Sequence, residues 1–154
     1  MRFRTPLRLL AALVAVAALP GFAAADHDRP FKGALTTTAT VGPILTDEGL
    51  YFEGTVAGQA TVLGKITGSF AYYLDPYTGV FIGTITKVAA NGDTVQEFVY
   101  GQYNATFTGS AGYTVITGGT GRFDGVTGGV SFTGTVTGAA TAYLVFDGTI
   151  SQGK

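Results

Sequence analysis

The stretch Tyr113–Gly129, which reads YTVITGGTGRFDGVTGG, decides the fold of this chain. A short apolar strand runs into a glycine-rich turn, and further glycines then let the chain reverse into a second strand. Glycine adopts positive φ and tolerates close backbone approach, both of which a Cβ opposes. We therefore expect Gly118, Gly119 and Gly121 to form a tight turn between neighbouring strands.

Composition points to an all-β fold. The 154 residues include 24 Gly, 11 Phe and 8 Tyr, and the chain is also rich in Thr and Val. Thr, Val, Ile, Phe and Tyr favour pleated, half-buried surfaces, whereas Gly is a poor helix former. No helical stripe of useful length follows residue 26. Short strands between glycine-rich turns predict a sandwich or a barrel.

Turn signals divide the chain into eight strands. They are predicted at Phe31–Val41, Leu50–Leu63, Lys65–Leu74, Val80–Ala89, Thr94–Thr108, Tyr113–Thr117, Val130–Thr137 and Ala140–Ile150. Asn91-Gly92-Asp93 is the strongest hairpin signal, and we expect a type I′ turn there, with positive φ at both central residues. Eight antiparallel strands close into a barrel that holds side chains or one small ligand, although a sandwich fits the same count.

The first 25 residues have the pattern of a secretory signal peptide. Three arginines precede the apolar run Leu9–Leu19, and small residues follow at Ala23–Ala25. The run is shorter than the ~20 apolar residues that span a bilayer, which disfavours the alternative of a membrane anchor. We predict cleavage before Asp26, a disordered leader over 26–30, one barrel domain over 31–152, and a secreted protein without stable membrane insertion.

Charge and residue inventory exclude several functions. The chain has 9 Lys and Arg against 10 Asp and Glu, and no basic stripe remains after the signal peptide to bind nucleic acid. With no Cys and one His, His27, a zinc or copper centre and a Ser/His or Cys/His nucleophile are not expected. No helix or P-loop lysine accompanies the Gly-Gly-Thr-Gly turn. We expect no metal and no cofactor.

A pentad of the form Phe-x-Gly-Thr-(Val/Ile) indicates which strand faces point inward. It occurs at Phe52–Val56, Phe81–Ile85, Phe132–Val136 and Phe146–Ile150. Because side chains alternate along a strand, Phe, Gly and Val/Ile share one wholly apolar face, which we place inside the barrel. Glu53 and Asp147 then point outward.

The same interpretation makes the lumen free of carboxylates. We expect Phe98 and Tyr100 to point inward, which would place Glu97 on the outer wall. The interior would hold rings, aliphatic groups, tyrosine hydroxyls and the amide of Gln96 or Gln102, with no group that titrates near neutrality. Such a cavity suits a small apolar ligand better than acid/base chemistry.

The stretch Tyr113–Gly129 resembles the Gly-Gly-(Ser/Thr)-Gly-x-Phe signature of allene oxide cyclases and plant dirigent proteins. Gly58–Gly64 is also similar to a stretch of bacterial secreted relatives, with Val62 where those often carry His. The resemblance implies an antiparallel barrel rather than a sandwich, and trimers formed through the barrel walls. Tyr113 matches a pocket-lining tyrosine of the plant cyclases, which makes it the first choice for ligand contact.

One departure from the plant cyclases weighs against catalysis. Those enzymes place a glutamate in the cavity from their first strand, and Phe31–Thr40 carries no carboxylate. A barrel without such a group can still steer a reactive molecule, as the resemblance to dirigent proteins implies. We therefore assign no catalytic residue.

We also predict roles for two residues of the glycine-rich turn and for three apolar residues of the outer wall. Arg122 would fasten the turn to Asp93 or Asp124, in preference to contacting a ligand, and Phe123 would fill one end of the barrel. Ile82, Tyr143 and Val145 would lie on the outside, so a second subunit could cover part of the wall.

The leading hypothesis is a secreted barrel that binds or steers a small apolar molecule. The predicted ligand-lining residues are Phe52, Phe81, Phe98, Tyr100, Tyr113, Phe132 and Phe146. Two alternatives remain open. An isomerase or cyclase of the allene oxide cyclase type would need a buried polar group such as Glu97, and a structural barrel would have a filled core.

Overall fold

A computed structural model describes residues 28–152, which form eight strands and a single-turn 3₁₀ helix. The strands are β1 (Asp28–Thr46), β2 (Gly49–Ala60), β3 (Gly64–Leu74), β4 (Val80–Ala89), β5 (Thr94–Tyr103), β6 (Gly109–Gly119), β7 (Thr127–Gly138) and β8 (Thr141–Ser151). Each strand pairs antiparallel with the next, and β8 pairs with β1, so the sheet closes into a barrel. The predicted barrel is confirmed over the sandwich. The expected signal peptide lies outside the described residues.

The pentads face the way their pattern predicts. Phe81, Phe132 and Phe146 are buried inside the barrel, as are Ile85 and Ile150 from the last pentad position. The acidic residues between them face outward: the Asp147 side chain is 62% exposed and forms a surface ion pair with Lys32. Glu53 accepts a hydrogen bond from the hydroxyl of Tyr51, which shares its outer face. Alternation along each strand is sufficient to sort these side chains.

The two ends of the barrel differ in how they are filled. One end, here called the closed end, is packed by large buried side chains, and these are Phe31, Leu63, Ile66, Val95, Phe123, Val126 and Ile150. At the opposite end, here called the open end, the loops that follow β1, β3, β5 and β7 surround an entrance. The interior is therefore accessible from one side.

The glycine-rich stretch closes the packed end, but Gly118 and Gly119 are the last residues of β6 and not part of the turn, contrary to expectation. Gly121 has φ of 59° and begins the 3₁₀ turn Gly121–Phe123, which buries the Phe123 ring completely. The Nε of Arg122 lies 3.8 Å from Oδ2 of Asp93, and its backbone N–H donates to the same oxygen at 3.2 Å. Asp93, rather than Asp124, is thus the anchor that ties the turn to the β4–β5 hairpin.

That hairpin contains three loop residues instead of the two that a type I′ turn has. The N–H of Gly92 donates to the carbonyl of Ala89 at 2.9 Å, and Ala89 N–H donates to Asp93 at 2.9 Å. Of the three loop residues only Gly92 has positive φ, 88°. This is a three-residue loop with a left-handed glycine. The type I′ prediction is wrong, and the extra loop residue reverses the face assignment of β5.

Smaller differences concern the strand ends. Residues 28–30, expected in a disordered leader, belong to β1 and pair with Thr149–Ser151 of β8. Strand β5 ends at Tyr103 rather than Thr108, because the side-chain oxygen of Asn104 accepts hydrogen bonds from the backbone N–H groups of Thr108 and Gly109 and forms a loop.

Between residues 28 and 152 there is no helix long and apolar enough to cross a membrane.

Candidate functional site: a one-ended cavity with a charged floor

A cavity of about 330 Å³ occupies the middle of the barrel. This volume lies at the lower end of the roughly 300–1,000 Å³ typical of ligand pockets. Its wall is mainly aromatic and aliphatic, and it includes Leu35, Phe70, Leu74, Val99, Val130 and Leu144. The side chains of the barrel therefore leave part of its interior open.

Four of the seven predicted lining residues border this cavity. They are Phe52, Phe81, Phe132 and Phe146. Tyr72 lies between two of these rings, with its centroid 5.2 Å from that of Phe52 and 5.3 Å from that of Phe81. Ring pairs at such distances are favourable and hold one another in place, so this side of the wall is preorganised.

The other three predicted lining residues are on the outer wall, so their expected inward orientation is wrong. Phe98, Tyr100 and Tyr113 are 43%, 42% and 50% exposed. Their register explains the error, because Phe81 pairs with Gly101 across β4 and β5, and directly paired residues share a face. With Gly101 inside, Phe98 and Tyr100 must be outside.

Outward orientation extends to the polar residues of the same face of β5. Gln96 and Gln102 are exposed, and the amide of Gln102 donates to the carbonyl of Thr78 at 2.9 Å. The expected amide inside the lumen is therefore wrong as well. The residues that replace them inside are Val95, Glu97, Val99, Gly101 and Tyr103.

Glu97 is buried in the barrel and pairs with Lys87. Its expected position on the outer wall is therefore wrong, and so is the expected lumen without carboxylates. Nζ of Lys87 lies 2.7 Å from Oε1 of Glu97, and the hydroxyl of Thr114 donates to Oε2 at 2.7 Å. Lys87 and Glu97 are 2% and 1% exposed. All three residues belong to the cavity wall, one position above the packed layer of Ala89, Val95 and Ile116. They form the floor of the cavity.

Two aromatic rings complete the environment of the lysine. Nζ of Lys87 lies 4.1 Å from the centroid of Phe146 and 5.0 Å from that of Phe31. A cation over a ring face is attracted by the ring quadrupole, and the attraction increases when water is excluded. Within the described part of the chain no other charged side chain lines the cavity. The floor therefore contains one basic and one acidic side chain, which form an ion pair.

A β-bulge lies beside the glutamate. Gln96 pairs with Gly118, whereas the next residue, Glu97, pairs with Ile116, so Thr117 is an extra residue on β6. Bulges change the direction of side chains locally and occur frequently near functional sites. Here the bulge separates the glycine-rich turn from Thr114, the residue that holds the glutamate.

Two tyrosine hydroxyls add a second polar position to the wall. The oxygens of Tyr72 and Tyr103 are 3.4 Å apart. Burial raises the pKa of Tyr72 far above the ordinary tyrosine value, and the neighbouring Tyr103 adds to the shift. Tyr72 is therefore a neutral hydrogen-bonding group in the cavity wall. Across residues 28–152 no cluster of three or more His, Cys, Asp or Glu side chains could hold a metal ion.

Comparison with known proteins identifies the architecture. The pterocarpan synthase dirigent protein PsPTS1 superposes with a TM-score of 0.54 and 15% identity, over 84% of this chain and 97% of that protein. The chain has the fold of the dirigent proteins. The pterocarpan synthase dirigent protein GePTS1 matches with a TM-score of 0.51 and 16% identity, over 85% and 89% of the two chains. No protein-family model matches the sequence, and neither does any curated protein.

The dirigent fold confirms the resemblance inferred from the glycine-rich turn, at the level of architecture. One feature of the sequence could have indicated that Glu97 lies inside: the length of the β4–β5 loop. A three-residue loop at Ala90–Gly92 would have placed Glu97 inside together with Ile85, which lies directly opposite it. The pairing with Lys87 is then diagonal across two neighbouring strands.

Proposed function

We propose that this protein binds a small, largely apolar molecule in the lumen of its barrel and presents it to the charged floor. The observation that carries the proposal is the cavity of about 330 Å³, which is open at one end and walled by rings and aliphatic side chains. The barrel has room for a ligand after its core is packed. Steering such a molecule, as in the dirigent neighbours, is compatible with the same cavity.

Electrostatics favours an uncharged ligand. Lys87 and Glu97 balance each other, so a ligand with its own charge would leave one charge without a partner at the floor. An unpaired charge in a low-dielectric interior costs several kcal/mol. A neutral ligand whose polar end accepts or donates a hydrogen bond at Lys87, Glu97 or Tyr72 fits both the apolar wall and its polar positions.

Binding of N-phenyl-1-naphthylamine, an apolar dye that fluoresces when water is excluded, tests this proposal. Ala142 lines the cavity at the start of β8, so Ala142→Phe places a ring inside the lumen. We expect this change to weaken dye binding by at least about tenfold, which corresponds to about 1.4 kcal/mol. The neighbouring Tyr143→Phe, on the outer wall, is the matched control. Equal binding by both variants would contradict lumen binding.

A second candidate function is an isomerase or cyclase of the allene oxide cyclase type. The observation that favours it is the buried Glu97, which can exchange a proton with a bound substrate and lies against Lys87. Incubation with an allene oxide and chiral analysis of the cyclopentenone product tests this candidate. Loss of stereochemical control in Glu97→Gln, with dye binding retained, would support it. An unchanged product ratio would leave only the binding function.

We further propose that the protein is secreted and that its first 25 residues direct its export. The tripartite pattern of that segment predicts export and cleavage before Asp26. The measurement is N-terminal sequencing of the protein recovered from outside the cytoplasm. A product that begins at Asp26 is expected, and one that retains Met1 would contradict it.

A further inference from the structure

Lys87 differs from the other lysines of the described structure in its surroundings. Residues 28–152 contain three lysines, of which Lys32 and Lys65 are exposed and Lys87 is buried. The amino group of Lys87 borders a cavity that is otherwise apolar, with Glu97 on one side and the Phe146 ring on the other. Desolvation in an apolar pocket is one way in which proteins turn a lysine amine into a nucleophile, and Glu97 lies within reach of its proton.

Stability does not explain why a barrel interior would contain this pair. Replacing a buried ion pair with apolar residues of similar volume is often neutral or stabilising. The remaining inward positions of β4 and β5 show that the interior accepts Val, Ile, Phe and Ala readily. A lysine and a glutamate at the cavity floor therefore call for a chemical role.

We propose that Lys87 condenses with the carbonyl group of an apolar aldehyde or ketone held in the lumen, and forms an imine. This inference rests on the proposed function, since the ligand must first enter the cavity. It names the ligand class as neutral carbonyl compounds whose hydrocarbon part lies against the aromatic wall. Glu97 is the proton acceptor and donor for the condensation, and Thr114 positions it.

The condensation balances with the groups on the floor. The ammonium of Lys87 transfers a proton to Glu97, and the free amine attacks the carbonyl carbon while a proton moves from nitrogen to oxygen. Glu97 then returns its proton to the hydroxyl of the carbinolamine, the C–O bond breaks, and water leaves. The products are a protonated imine and a carboxylate. No oxidant or reductant is consumed.

The surroundings stabilise the product as well as the reactant. The protonated imine carries the same charge as the original ammonium, so it keeps Glu97 as its counterion and the floor stays neutral overall. The rings of Phe146 and Phe31 face the cation in both states. The hydroxyl of Thr114 holds the far oxygen of the carboxylate in place. The released water leaves through the open end.

Reductive trapping tests the proposal on the full chain. The protein is incubated with hydrocinnamaldehyde and cyanoborohydride, and the intact mass and the labelled peptides are measured over time. Trapping at Lys87 adds the mass of the aldehyde less one oxygen. We expect the Lys87 peptide to be labelled before those of Lys32 and Lys65. Labelling of Lys87 only after both exposed lysines would overturn the proposal.

Competition and variants separate this inference from the binding function. Propylbenzene has the shape of the probe without its carbonyl group, and it should slow labelling at Lys87 while leaving Lys65 unaffected. Lys87→Met with Glu97→Gln, which leaves no charge on the floor, should lose the early adduct, whereas Lys65→Met should keep it. If the naphthylamine dye binds in the lumen and Lys87 is not labelled, the imine fails and the binding function stands. If neither occurs, both fail.

Discussion

The ring of Phe81 covers Gly101, the residue directly opposite it on the neighbouring strand. A Cβ on Gly101 would lie 2.9 Å from both Cε atoms of the ring and closer still to its tip. The ring therefore occupies the space that any larger residue would need. This contact places Gly101 inside the barrel, and with it Glu97 on the same face of β5.

Replacing this glycine should destabilise the barrel. Gly101→Ala forces the Phe81 ring to move within a packed wall, and overpacking of this kind costs about 1–3 kcal/mol in the free energy of unfolding. Chemical denaturation measures the change. Phe81→Leu combined with Gly101→Ala should cost less than the sum of the two single changes. Additive effects would mean that the ring and the glycine do not limit each other.

The buried ion pair should show strong coupling. Lys87→Met leaves Glu97 without its cation and should lower the free energy of unfolding by about 3–5 kcal/mol, as should Glu97→Leu through an unpaired Lys87. The double change Lys87→Met with Glu97→Leu should cost much less than the sum, because no isolated charge remains. Denaturant unfolding of the four proteins in the cycle measures the coupling.

The surface pair Lys32–Asp147 is the matched control for that cycle. Its atoms are 2.9 Å apart, similar to the buried pair, but its side chains are 56% and 62% exposed. Exposed pairs contribute about 0–1 kcal/mol, so Lys32→Met should have a small effect. If Lys32→Met lowered the free energy of unfolding as much as Lys87→Met, burial would not be the reason why the Lys87 pair matters.

Tyr72 should make the barrel sensitive to high pH. Its pKa is raised by burial, so the folded protein keeps the phenolic proton that the unfolded chain releases near pH 10. The stabilising contribution is complete below that pH and is lost as the pH rises toward the folded pKa, with a slope of up to about 1.4 kcal/mol per unit. As the pH rises above about 10, the free energy of unfolding should fall less in the Tyr72→Phe variant than in the wild type. Parallel stability curves for the two proteins would argue against a buried, neutral Tyr72.

The exposed apolar side chains on the outer wall predict that the protein self-associates. Ile82, Tyr100 and Tyr113 lie in register on β4, β5 and β6, and each is more than 40% exposed. A contiguous apolar surface of this kind is typical of an interface. In analytical ultracentrifugation we expect the wild type to sediment as an oligomer and Tyr100→Arg to sediment as a monomer. Thr149→Arg, on the exposed face of β8, is the control. A monomeric wild type would refute the interface.

Local sequence determined the strands and most of their faces. The boundaries of β3 and β4 and the inward direction of all four pentads follow from alternation and turn chemistry, which depend only on residues near one another in the chain. The glycine-rich turn likewise contains its own positive-φ residues and its own plug, Phe123. These features do not depend on contacts between residues that are distant in the chain.

The face of β5 was decided by tertiary structure. Along Thr94–Tyr103 either set of alternate residues could face the core, and the aromatic set was the stronger candidate by hydrophobicity alone. One additional loop residue and the fit of Phe81 over Gly101 selected the other set, because a shift of one residue moves every side chain to the opposite face. The pairing of Lys87 with Glu97 follows from that choice, since it joins residues on two strands that only the register brings together.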